Sequence, residues 1–163
     1  MASKMLYRFF ESSSDPVLAI ERTGGICFWN DSCHRELGLS FEEVRNRKCY
    51  EVIAGRNLHG DPYCDSDCKV FENIQSGNPS ENYDLLVRDP DGRDLMVNVG
   101  IYLTPATYRK RLEAVAFLVL RRIDCYRLMQ RLVNEKVLTW GKTGMPVRDN
   151  LSLRELSVLK MLS

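Results

Sequence analysis

With 163 residues, the chain is long enough for one well-buried domain with appendages and too short for two full ones. Its 44% hydrophobic and 28% charged content is that of an ordinary globular protein, and 23 Lys and Arg against 22 Asp and Glu leave a net charge of +1, so whole-chain electrostatics favour neither nucleic acid nor a membrane surface. No apolar run approaches the roughly 20 residues of a membrane span, and the start MASKMLYRFFESSSDP carries charge where a signal peptide is greasy, so a cytoplasmic location without membrane association is expected.

In chain order, KMLYRFFES places Met5, Leu6, Phe9 and Phe10 at helical spacing and predicts a short N-terminal helix that caps a domain or a partner. Pro16 stops it. Val17 to Glu21 and Ile26 to Trp29 read as two strands joined through Thr23-Gly24-Gly25. Asn30 and Asp31 can cap a helix through CHREL that stops at Gly38, and Ser40 with Glu43 three residues on is a capping-box pattern opening another short helix toward Cys49. Val70 to Gln75 predicts one or two more helical turns, ended by Ser76 and Gly77.

The period then changes to two. Tyr83, Leu85 and Val87 alternate up to the turn Asp89-Pro90-Asp91-Gly92, and Leu95, Val97, Val99, Ile101 and Leu103 alternate on the return, which makes the strongest hairpin signal in the chain. A polar loop through Tyr108 to Arg111 precedes EAVAFLVL, an apolar run suited to a central strand buried on both faces. The expected fold class is therefore α+β: a five-stranded antiparallel sheet with short helices, inserted between its second and third strands, covering one face.

Chemistry concentrates between the second strand and the hairpin. The stretch CYEVIAGRNLHGDPYCDSDC holds Cys49, Cys64 and Cys68 with His59 between them, three of the chain's six cysteines and one of its two histidines. Thiolates a few residues apart can grip one metal ion from a single turn, and a third Cys with a His completes four ligands, for zinc or an iron-sulfur cluster. The same thiols could instead form a redox pair or be plain structural cysteines, since free Cys often packs as a small hydrophobe. In a reducing compartment a resting disulfide framework is disfavoured. Cys27 lies in a strand where alternation can turn it into the domain, which makes it the candidate fourth ligand if His59 is not. His34 adjoins Cys33 on a predicted helix, where neighbours cannot face the same way, so a surface histidine is expected; Trp29 reads as core.

The run DPVLAIERTGGICFWN, the helix ending ELG, SFEEV, the long hairpin around DPDG and the strand EAVAFLVLRRID together resemble a PAS domain, over about residues 5–124. The resemblance implies a sensory and dimerisation module that holds a ligand or cofactor between sheet and helices. KCYEVIAGRNLHGDPYCDSDC resembles a cysteine-bearing variant of some bacterial PAS sensors, although its pair is spaced CxxxC rather than more tightly.

Beyond the domain, Tyr126, Met129, Val133, Val137 and Trp140 describe an amphipathic helix, which either packs back on its own domain or pairs with a second copy in a homodimer, as similar sensors do. GKTGMPVRDN reads as a linker, and LSLRELSVLKMLS resembles the opening helix of a LuxR-type helix-turn-helix. One helix cannot supply a recognition helix, so DNA binding is expected only through a helix-turn-helix that is incomplete here. The expected organisation is an N-terminal helix over 1–15, the PAS-like sensor over 16–124, a signalling helix over 125–140, a linker over 141–150 and the start of the helix-turn-helix over 151–163.

No enzyme is expected. Paired carboxylates and a nucleophile elbow are missing, and GKTG at 141–144 fails as a phosphate loop because Lys136 stands where the upstream glycine belongs. The function implied is the sensory domain of a bacterial transcriptional regulator that reads a redox, metal or small-molecule signal. The alternatives are a sensor fragment of a signalling kinase and a purely structural dimerisation module.

Overall fold

Alternation of apolar side chains builds the sheet, and near-neighbour caps set most of the helices. The structure, a computed structural model, describes residues 2–78, 81–123, 138–140 and 146–148, of which 2–5 and the last two segments are described by their backbone alone. Residues up to Arg122 form one compact unit and those from Ile123 a second.

The first unit begins with helix α1 (Ala2–Glu11), followed by strands β1 (Val17–Ile20) and β2 (Ile26–Trp29). Four short helices come next: α2 (Asp31–Leu37), α3 (Phe41–Val44), α4 (Cys49–Ile53) and α5 (Lys69–Ser76). Strands β3 (Tyr83–Arg88) and β4 (Asp94–Leu103), helix α6 (Ala106–Leu112) and strand β5 (Ala116–Arg122) complete it. The five strands run antiparallel in the order β2-β1-β5-β4-β3, so the strand predicted to be buried on both faces does sit at the centre.

The two faces of that sheet separate cleanly. Leu18 and Ile20 of β1, Leu118 and Leu120 of β5, and Val97 and Val99 of β4 share one core with residues from α3, α4 and α5. The alternate residues Val17, Ala19, Phe117 and Val119 form a second core on the opposite face, against which Leu6, Tyr7 and Phe10 of α1 pack. The helical layer thus covers one face as expected, and α1 covers part of the other. Phe10 stacks on Phe117 with ring centroids 4.9 Å apart, and the Tyr7 hydroxyl donates to the Leu112 carbonyl. Phe9, predicted on the buried stripe, is 72% exposed, and Tyr7 takes its place.

The predicted caps form. Asn30 is the N-cap of α2, its side chain accepting from Cys33 N–H, and Gly38 closes the helix at φ 76°. Ser40 and Glu43 make the full capping box of α3. The loop expected over Tyr108 to Arg111 is instead helix α6, whose single buried side chain, Leu112, leaves almost no amphipathic signal to read. Likewise Cys49 opens α4, a helix of 5 residues, too short for a periodicity to register.

In the second unit, Leu138–Trp140 and Pro146–Arg148 are strands β6 and β7, paired antiparallel. The helix predicted to run to Trp140 and the linker predicted over 141–150 are both corrected at these residues. Thr139 and Trp140 favour strand, a preference that the three-and-four spacing of the upstream residues concealed. The rest of the predicted signalling helix and the predicted helix-turn-helix start over 151–163 lie outside the described residues.

Candidate functional site

A cavity of about 260 Å³ lies between the inner sheet face and helices α4 and α5. Its floor is sheet side chains, Ile20, Leu85, Val99, Leu118 and Leu120, and its walls are Ile53, Val70, Phe71 and Ile74. Cys49, Cys64 and Cys68 all line it, together with Tyr83, Lys48, Asp65 and Ser66.

Backbone hydrogen bonds fix each cysteine. Cys49 N–H donates to Gly24 C=O at 2.9 Å, which ties the start of α4 to the turn between β1 and β2. Cys64 N–H donates to Gly55 C=O at 3.0 Å. Cys68 immediately precedes α5, and its carbonyl accepts from Glu72 N–H at 3.1 Å. Gly55 lies close to the cavity lining: a Cβ there would stand 2.7 Å from Leu85 Cδ1 and 2.9 Å from Cys64 Sγ, so a larger residue would have to displace those side chains.

His59 is held away from these thiols. Arg56 exchanges two 2.9 Å backbone hydrogen bonds with Leu86, so the loop adds itself to the free edge of β3, and the Arg56 guanidinium pairs with Asp94. Beyond that clamp, Asn57 Oδ1 accepts from His59 N–H at 2.9 Å and Asp61 N–H at 3.0 Å, a tight turn with exposed His59 at its tip. The structure therefore brings three of the four predicted ligands to one cavity and leaves the histidine outside it.

Cys27 is excluded as a fourth ligand. It is the extra residue of a bulge between the pairs Ala19↔Phe28 and Ile20↔Ile26, it packs in the outer core beneath α1, and its thiol donates to Ala19 C=O at 3.5 Å. The sheet stands between it and the cavity. Cys33 is buried and His34 exposed, the opposed orientations expected of helix neighbours, and Trp29 is core, its indole N–H donating to Leu39 C=O at 2.8 Å. Cys125 lies outside the described residues.

Burial raises the pKa of two of the three thiols, Cys49 and Cys64. Burial, opposed by a hydrogen bond from the Gly55 backbone and reinforced by Cys68 and Asp65, pushes Cys64 up to about 11. Burial first, and then Cys64 and Cys68, carry Cys49 above the ordinary thiol range. Protonated thiols are poor nucleophiles and poor metal ligands. Among the described residues no three His, Cys, Asp or Glu side chains converge closely enough to hold a metal ion. As placed, the donor set does not fit a four-ligand zinc or iron-sulfur centre.

Tyr83 is the residue that pattern reading missed. Its ring stacks on Tyr63 at 5.4 Å, and burial, then Cys64, Cys49 and Cys68, hold its phenol far above the usual range. The available signal was a tyrosine on the inward-facing period of β3, where the following positions, Leu85 and Val87, are aliphatic.

The family model for the PAS fold matches residues 4–122. The chain belongs to the PAS fold family. Solved PAS structures agree with that assignment. The PAS domain of an HTR-like protein from Haloarcula marismortui is 24% identical, with a TM-score of 0.52 over 75% of this chain and 97% of its own. A PAS domain from Desulfitobacterium hafniense is 20% identical, with a TM-score of 0.53 over 71% and 99%. A domain of a sensory box sensor histidine kinase/response regulator from Geobacter sulfurreducens is 16% identical, with a TM-score of 0.54 over 74% and 93%. At these identities the likeness is one of fold. No curated protein matches the sequence. PAS domains are sensory modules, and in this one the cavity stands between sheet and helices, with three thiols on its lining. Among the described residues no helix is long and apolar enough to cross a membrane.

Proposed function

We propose that this PAS domain is the sensory part of a cytoplasmic bacterial transcriptional regulator, and that its signal is a small organic molecule held in the cavity between the sheet and α4–α5. The observation that carries the reading is the cavity itself, about 260 Å³ and mostly apolar, with Cys64, Asp65, Ser66 and Cys68 between α4 and α5 among its polar lining residues. Occupancy would fix α5 and the cysteine-bearing segment against the sheet. The segment following β5 would then pass the change to a partner subunit, and a bias of a few kcal/mol between two arrangements is enough.

The regulator rather than the kinase-fragment reading rests on the resemblance of LSLRELSVL to the start of a LuxR-type helix-turn-helix. Deleting the gene should alter transcript levels of a defined gene set. A deletion that changed only phosphorylation of a partner would favour the kinase alternative. The homodimer is tested by light scattering, which should give twice the chain mass.

Cavity occupancy is tested with isopropylbenzene as an apolar probe. It should raise the melting temperature of the protein by a few degrees through preferential binding to the native state, and Val99→Phe, which fills the floor, should abolish the gain. No stabilisation of the unmodified protein would reject the cavity as a binding site.

The three thiols on one cavity favour a second reading, capture of a soft metal after the segment from Cys64 to Cys68 closes on Cys49. Protein purified without oxygen should then carry stoichiometric iron or zinc, and Cys49→Ala, Cys64→Ala and Cys68→Ala should each remove it. Metal-free protein leaves the organic ligand.

A further inference from the structure

The cavity's polar groups narrow its ligand, given the reading of the cavity as the signal site. Size comes first. An engineered apolar cavity of about 150 Å³ admits benzene, so about 260 Å³ admits a molecule of roughly ten non-hydrogen atoms.

Charge comes next. Lys48, the cation on the lining among the described residues, already donates its ammonium to the Thr23 carbonyl at 2.7 Å in an exposed position. Asp65, also on the lining, is an anion. An anionic ligand would therefore lose its hydration against aliphatic walls with no committed counter-charge.

Hydrogen bonding settles the remaining property. Tyr83 is fixed twice, by strand pairing with Val99 and by stacking on Tyr63. Its hydroxyl has no hydrogen-bond partner among the described residues. Tyr83 therefore offers the cavity a rigidly held hydroxyl that can donate to a ligand. A ligand that supplies an acceptor to this hydroxyl gains a hydrogen bond that the protein leaves open.

We infer that the ligand is a small, neutral, mostly apolar organic molecule carrying a hydrogen-bond acceptor, a carbonyl or a ring nitrogen, which the Tyr83 hydroxyl addresses inside the cavity. Tyr83 is then the residue that sets specificity, and the apolar floor supplies most of the affinity.

Three probes of equal size and different polarity test this: acetophenone, isopropylbenzene and benzoate, each titrated at neutral pH into the isotopically labelled full chain while amide shifts of the lining residues are followed. Acetophenone should bind at least about tenfold more tightly than benzoate and about fivefold more tightly than isopropylbenzene. Tyr83→Phe should erase the preference for acetophenone over isopropylbenzene while leaving isopropylbenzene binding unchanged, which also shows that the variant cavity is intact. Benzoate binding as tightly as acetophenone, or an acetophenone preference that survives Tyr83→Phe, would overturn the ligand class and leave the cavity reading standing. Failure of all three probes to bind would overturn the cavity reading itself.

Discussion

Asn30 shows what one buried polar side chain can organise. It is 1% exposed and makes four hydrogen bonds. Oδ1 accepts from Val17 N–H and Cys33 N–H at 3.0 Å each, and Nδ2 donates to the carbonyls of Phe10 and Asp15 at 3.0 Å each. One amide thereby joins the end of α1, the start of β1 and the first turn of α2. Asn30→Ala strands two donors and two acceptors, and the expected loss is about 3 kcal/mol, read as a lowered urea midpoint at unchanged slope. A loss under about 0.5 kcal/mol would mean that water replaces the amide at no cost. Only the capping bond to Cys33 was visible in the sequence, because the other three partners lie 13 to 20 residues away.

The cysteines follow the same logic. Reactivity depends on the thiolate, and Cys64 is pushed up to about 11 chiefly by burial. At pH 7.5 its alkylation by iodoacetamide should run at least about tenfold slower in the native protein than in the urea-unfolded chain, measured by mass spectrometry of the peptide that contains it. Equal rates would show the thiol to be open to solvent.

At the scale of elements, α1 and the 55–64 loop are the segments whose placement the sequence left open. α1 is amphipathic, and its spacing set Phe9 and Phe10 on one face, of which only Phe10 is packed on the sheet. Phe10 stacks on Phe117 whereas Phe9 faces out, because the outer sheet face meets the helix along Leu6, Tyr7 and Phe10. Phe10→Ala should cost about 2 kcal/mol and Phe9→Ala less than about 0.5 kcal/mol. Equal effects of the two substitutions in thermal unfolding would place the helix differently on the sheet. The loop is the converse case. Its glycines and proline advertise a turn, but its clamp to β3 through Arg56, Leu86 and Asp94 is long-range, and that clamp is what carries His59 away from the thiols.

At the scale of the molecule, several acids are held neutral by burial at once. Cys27 and Cys33 are each pushed up to about 12, Cys64 to about 11 and Tyr7 to about 12, in every case with burial as the leading cause. Folding favours the protonated form of each. Below the unfolded values both states hold their protons, and these groups add no pH dependence. Above them the unfolded chain releases protons that the native state retains, so stability falls as pH rises. The urea midpoint should be flat with respect to these groups from about pH 6 to 8 and decline from about pH 9 through about pH 11, and Cys33→Ala should lessen the decline. A midpoint that holds steady to about pH 10.5 would show that these groups are solvated.

The local grammar of this protein is legible along the chain: the period-two strands, the caps at Asn30 and Ser40, the stops at Gly38 and Gly77, and from their order a PAS sheet with helices inserted between its second and third strands. These features depend on residues within a few positions of one another, where backbone sterics and near hydrogen bonds dominate. The tertiary structure alone decided which cysteines meet. Cys49, Cys64 and Cys68 share a cavity because α4, the clamped loop and the start of α5 converge over one sheet face, and Cys27 is lost to them because a bulge lays it against the other. Which face a strand residue takes, and which cavity a loop residue reaches, depend on register and on contacts between distant segments, and spacing along the chain does not encode either.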